Sequence, residues 1–118
     1  MTVRSYRTLD GSLITELIRP ETDGSRNLSV AEAVISPGQS TLAHYHGSSE
    51  EVYVVIEGLG QLWIGAVARE IGPGEAHLIP PGEEHKVTCM SEAPLRILCV
   101  CSPPYQHADT VISEPVVA

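Results

Sequence analysis

Apolar residues fall in short runs broken by glycine and proline, and within most runs apolar and polar positions alternate. Alternation with period two marks a strand with one buried face. NLSVAEAVI (27–35) alternates in this way and runs into the turn SPGQ, and further strand candidates cover 41–46, 51–58, 60–70, 76–82, 85–90 and 95–102. One stretch departs from the pattern. In SLITELIRP, Leu13 with Leu17 and Ile14 with Ile18 recur four apart, which predicts a short N-terminal helix ended by Pro20, with a strand as the alternative. The tail PPYQHADTVISEPVVA is too broken by proline for a core element and is expected to drape over the domain or reach a neighbour. The pattern predicts an all-β fold in a single domain over 1–118, without internal repeat, linker or low-complexity tract.

Composition narrows the functions open to such a fold. A chain of 118 residues can bury a sizeable core without disulfides or a structural metal, so a metal here is expected to serve chemistry. The formal charge of −8 leaves no basic footprint, which argues against nucleic acid and against an anionic membrane as partners. Three late cysteines, Cys89, Cys99 and Cys101, do not resemble the framework of a small secreted protein and favour a cytoplasmic location. No signal-like stretch opens MTVRSYRTLDGS, and no segment approaches the ~20 apolar residues of a membrane span.

The chemistry concentrates in HYHGSSEEVYVVIEG (44–58). On a strand, His44 and His46 share one face and Tyr45 points away, so two imidazoles converge as a transition metal requires. The turn HGSSE can return a glutamate beside them. Within EVYVVIE, Glu51, Tyr53 and Val55 share one face and Val52, Val54 and Ile56 the other, and if Glu51 meets the histidines the aliphatic set is expected on the packed side. Parity alone leaves Glu50 as a rival to Glu51. Downstream, GPGEAHLIPPGEEHKV places His85 three residues after the turn Pro80, Pro81, Gly82.

Together these segments resemble the cupin family. Gly38, QSTLA, His44, Tyr45, His46, GSSE, Glu51, VYVVIE, Gly58 matches its first motif, and Gly74, EAHLI, Pro80, Pro81, Gly82, EE, His85, KVT, Cys89 its second. Cys89 stands where the family has asparagine, which puts the packing of that turn in question. The resemblance covers about residues 28–101, leaves 102–118 as a tail, and selects Glu51 over Glu50. It implies a double-stranded β-helix, or jelly-roll barrel, with the site inside. The implied ligands are His44, His46, Glu51 and His85, holding one divalent transition metal ion (Fe, Mn, Ni, Cu or Zn) with open positions for a small-molecule substrate. It also implies a homodimer.

Of the remaining residues, Tyr53 is the candidate catalytic or orienting group, against the plainer reading of a half-buried strand tyrosine. Gln61 and Trp63 could line the pocket. His77 and His107 lack a spacing partner and are expected to be surface or satisfied polar residues. Cys99 and Cys101 share a strand face and are expected to act as buried apolar residues rather than as a metal or redox pair. With no second acid or base placed near the metal, a dioxygenase-type oxidoreductase is favoured over a decarboxylase or a sugar isomerase or epimerase. A non-catalytic ligand-binding module is the alternative from another class.

Overall fold

A computed structural model of the protein describes residues 4–114. Its strands run in order β1 (Arg4–Arg7), β2 (Leu13–Ile18), β3 (Ser29–Ile35), β4 (His44–His46), β5 (Glu50–Glu57), β6 (Gly60–Ile64), β7 (Val67–Ile71), β8 (Ala76–Ile79), β9 (His85–Cys89), β10 (Leu95–Ser102) and β11 (Thr110–Ile112). They form two antiparallel sheets, one ordered β1-β2-β3-β10-β5-β8 and the other β11-β4-β9-β6-β7. The sheets pack in jelly-roll fashion, and neither closes on itself as a barrel. Between them lies a core that includes Ile35, Val55, Leu62, Ile79, Leu95 and Ile97. Among the described residues no helix is long and apolar enough to cross a membrane.

Most expected strands appear near their expected limits, with four corrections. The stretch 13–18 is strand β2, hydrogen-bonded to β1 on one side and β3 on the other. A spacing of four fits a period of two as well as one of 3.6, so the Leu13 and Leu17 pair that suggested a helix is an exposed strand face. The short helix, α1 (Pro20–Asp23), begins at Pro20 rather than ending there, because proline suits a first turn, and Gly24 closes it in the left-handed conformation.

The second correction concerns β5. Glu51, Tyr53 and Val55 point into the molecule, while Val52 and Val54 are half-buried and Ile56 is exposed on the outer face. The site and the core therefore share one interior, the inner face of β5 passing from carboxylate to valine along its length. Third, the run 60–70 is a hairpin, β6 and β7, folded back at Gly65. Fourth, the tail contributes an element: a 3-10 turn (His107–Asp109) leads into β11, which pairs with β4. Residues 115–118, which end that segment, lie outside the described residues.

Candidate metal centre

Strand β4 buries His44 and His46 on its inner face, as the alternation requires, and sets His44 opposite His85 on β9. The turn between β4 and β5 is held from outside: Asp109 accepts hydrogen bonds from the backbone N–H groups of Ser48 and Ser49, and the Ser49 hydroxyl donates to the Pro103 carbonyl. These N–H bonds more than offset the cost of desolvation and hold the Asp109 carboxyl below its ordinary range. In the second motif, the Gly82 N–H donates to the His46 carbonyl at 2.7 Å, locking the two histidine segments together. Cys89 takes the asparagine position without loss of order, its thiol donating to the Ala93 carbonyl at 3.3 Å inside the following turn.

Each imidazole is oriented through its outer nitrogen. His44 Nδ1 donates to the Leu42 carbonyl at 2.7 Å, His85 Nδ1 to the Glu83 carbonyl at 3.0 Å, and His46 Nδ1 to Thr110 Oγ1 at 3.0 Å. A neutral ring that donates through Nδ1 carries a bare lone pair on Nε2. All three rings turn that lone pair inward, and one nitrogen from each lies within 4.8 Å of the others. Glu51 Oε1 stands 3.2 Å from His46 Nε2 and 3.4 Å from His85 Nε2.

These last three atoms are buried without a hydrogen-bond partner. Acceptors this close repel one another unless a cation lies among them, so the donor set fits a metal ion. The carboxylate draws positive charge to this point, whether as a proton or as a metal ion. Burial alone would raise the Glu51 carboxyl, but His46 and His85 bring it down to about 2. His46 is raised, the Glu51 carboxylate outweighing desolvation, whereas burial and the neighbouring His85 depress His44.

A cavity of about 500 Å³ opens from this cluster. Tyr53 lines it, buried, with its ring centroid 5.9 Å from that of His85. Gln61 and Trp63 do not line it, because Leu62 is the inward residue of β6. His77 is held by Glu75 at 3.0 Å and lies off the cavity wall. Cys99 and Cys101 are free and buried, as expected, yet both border the cavity, and the Cys101 thiol donates to Glu51 Oε2 at 3.3 Å.

Several residues in the cavity wall escaped the sequence reading. The hairpin β1–β2 supplies Tyr6, Thr8, Asp10, Ser12, Ile14 and Glu16, all at even positions. That unbroken alternation was the available signal, obscured by the helical reading of residues 13–18. Asp10 Oδ2 lies 3.4 Å from His44 Nε2. His107, set aside as a surface residue, accepts from or donates to Tyr105 Oη at 2.9 Å on the same wall, and the Tyr105 ring packs edge-on against His46.

The family model described as Cupin domain matches residues 31–101. The chain belongs to the cupin family. Its relatives include an uncharacterized protein of Methanocaldococcus jannaschii, 40% identical over 112 residues, covering 95% of this cupin and 90% of the relative. An L-ectoine synthase of Bordetella parapertussis is 35% identical over 89 residues, covering 74% of this chain and 66% of its own length. Among solved structures, the polyketide cyclase RemF from Streptomyces resistomycificus superposes with a TM-score of 0.74 at 30% identity, over 85% of this chain and 73% of that one. The buried three-histidine cluster of this cupin suits a single divalent transition metal ion.

Proposed function

We propose that this cupin is a metal-dependent enzyme of acid/base type, catalysing ring closure or elimination on a small, largely neutral molecule that carries oxygen. In this reading His44, His46, His85 and Glu51 are the metal ligands. The observation that carries it is the Tyr105–His107 pair on the wall of the cavity that His44, His46 and Glu51 border. The preference for oxygen chemistry rests on the lack of a second acid or base near the metal, and the Tyr105–His107 pair beside His46 weakens that premise. RemF, by its description a polyketide cyclase, supports the same class.

When bound, the metal supplies Lewis-acid polarisation of a substrate oxygen. The remaining work falls to the chain. Burial raises the Tyr105 phenol, which therefore keeps its proton at neutral pH. Thr8 Oγ1 lies 3.2 Å from Tyr105 Oη, and when the threonine hydroxyl is the donor the phenol proton is free for a leaving group or for His107 Nδ1. His107 is exposed and exchanges that proton with solvent. Ile14, Ile18, Ala33 and Ile97 give the cavity an apolar side against which a carbon skeleton can be held. Tyr53 offers its hydroxyl to substrate from the inner end.

The test is turnover of a panel of hydroxyketones and diketones, followed by mass spectrometry with and without dioxygen. We expect isomerised or dehydrated product in the absence of dioxygen, and a ~100-fold lower kcat in Tyr105→Phe. Metal-dependent oxygen uptake with oxygenated product would return the protein to the dioxygenase reading. A cytoplasmic homodimer belongs to the same proposal: Ile56 and Leu78 lie exposed on the outer face of the six-stranded sheet, and sedimentation velocity would detect pairing there.

A further inference from the structure

Two carboxylates flank the three histidines, Glu51 from one side and Asp10 from the other. Glu51 Oε1 flanks His46 and His85 at 3.2 and 3.4 Å, and Asp10 Oδ2 flanks His44 at 3.4 Å. Donor atoms bonded to one metal at about 2.1 Å stand about 3.0 Å apart along an octahedral edge and about 3.4 Å apart along a tetrahedral one. At 3.4 Å the Asp10 contact, like those of Glu51 at 3.2 and 3.4 Å, is a few tenths of an ångström longer than an octahedral edge, a gap that closure on a bound ion would take up. The Asp10 contact is also one between two acceptors, because His44 has committed its ring proton to the Leu42 carbonyl.

The hairpin turn is built to hold this geometry. Asp10 Oδ1 accepts from both the backbone N–H and the hydroxyl of Ser12, at 2.9 and 2.6 Å, which leaves Oδ2 aimed at the histidine. The backbone carbonyl of Asp10 accepts from the Leu42 N–H at 2.8 Å, and the carbonyl of Leu42 in turn orients His44. Asp10, Leu42 and His44 thus form one hydrogen-bonded unit. Two N–H or O–H donors on one carboxylate oxygen and none on the other is an arrangement that reserves the second oxygen for a further partner.

We propose that Asp10 Oδ2 is a fifth protein donor to the metal, so that the centre is a three-histidine, two-carboxylate site completed by the β1–β2 hairpin. The inference rests on the metal reading above. It leaves one position for substrate on a six-coordinate ion instead of two, and it brings the net charge of a divalent centre with Glu51 and Asp10 to zero. A neutral centre of this kind favours a neutral oxygen donor over a multiply charged anion, which specifies the substrate class further.

The experiment is cobalt(II) titration of chelator-treated full-length protein, read by visible absorbance and by competition with a chromophoric chelator, in the wild type, Asp10→Asn and Glu51→Gln. Asparagine preserves the acceptor for Ser12 and removes the charge. We expect Asp10→Asn to bind cobalt about tenfold to a hundredfold more weakly, with stronger absorption bands as the coordination number falls. Thermal unfolding separates a ligand from a structural turn. As a ligand, Asp10→Asn leaves the metal-free protein at least as stable as wild type, because two facing acceptors are relieved, and is stabilised less by cobalt. Wild-type affinity and spectrum in Asp10→Asn, or a less stable metal-free variant with unchanged cobalt binding, would overturn the proposal while the metal reading stands. Failure of the wild type to bind cobalt would remove both.

Discussion

Gly58 shows how narrowly single residues are specified around the site. Its φ is +87°, and a Cβ added there would meet the Pro94 carbonyl oxygen at 2.5 Å and Leu95 Cα at 2.9 Å. Both neighbours are backbone and cannot yield cheaply. Gly58→Ala should therefore cost about 2–4 kcal/mol, measured by urea denaturation, whereas the same change at Gly74, where nothing lies within 4 Å, should cost about 1 kcal/mol. The first motif made this glycine legible in sequence, together with the shared face of His44 and His46 and the inward direction of Glu51. Asp10 was not legible. A lone carboxylate in TLDGS reads as an ordinary polar turn, and what sets it apart is a contact with a histidine on another sheet, which no local pattern encodes.

The elements that position the site lie partly outside the motif region. Strand β11 pairs with β4, and its Thr110 hydroxyl is the one side-chain acceptor among the three that fix the imidazole rings, the other two being backbone carbonyls. Thr110 Oγ1 passes its own proton to the Gln106 carbonyl at 3.2 Å, so it can only accept from His46. Thr110→Val keeps the strand shape and removes this acceptor. Metal affinity should fall about tenfold to a hundredfold in a chelator competition, with circular dichroism unchanged. Proline-rich composition hid this strand, since PPYQHAD reads as loop and only three residues pair beyond it. The hairpin β1–β2 was hidden for a different reason: its apolar residues stand four apart, a spacing that both helix and strand satisfy, and pairing with β3 decides between them.

For the whole molecule, the centre links stability to pH and to metal. The folded-state Glu51 carboxyl titrates at about 2 instead of an ordinary 4.5. A depressed carboxyl contributes stability that is complete above the unfolded value and lost as pH falls toward the folded one. The melting temperature of metal-free protein should thus drop between about pH 4.5 and pH 2, beyond the decline shared by other carboxyls, and Glu51→Gln should flatten that part of the curve. His46, raised in the same pair, works at the other end: its contribution is present below pH 6.5 and lost as pH rises through its folded value. The double-sheet architecture itself was readable from strand spacing and the two motifs. The face on which the aliphatic residues of β5 lie was not, because one interior holds both the polar centre and the core.

The spread of the centre along the chain carries a consequence for biosynthesis. Residues that touch it or fix its rings run from Asp10 through His44 and His85 to Thr110, on both sheets. Contacts of such sequence separation close late in folding, since each must first overcome the entropy of a long loop. A nascent chain still lacking its final strand has two oriented imidazoles and an unfastened third. Metal capture therefore acts in effect as a proofreading step, favouring chains in which the β1–β2 hairpin and β11 have both joined the sheets.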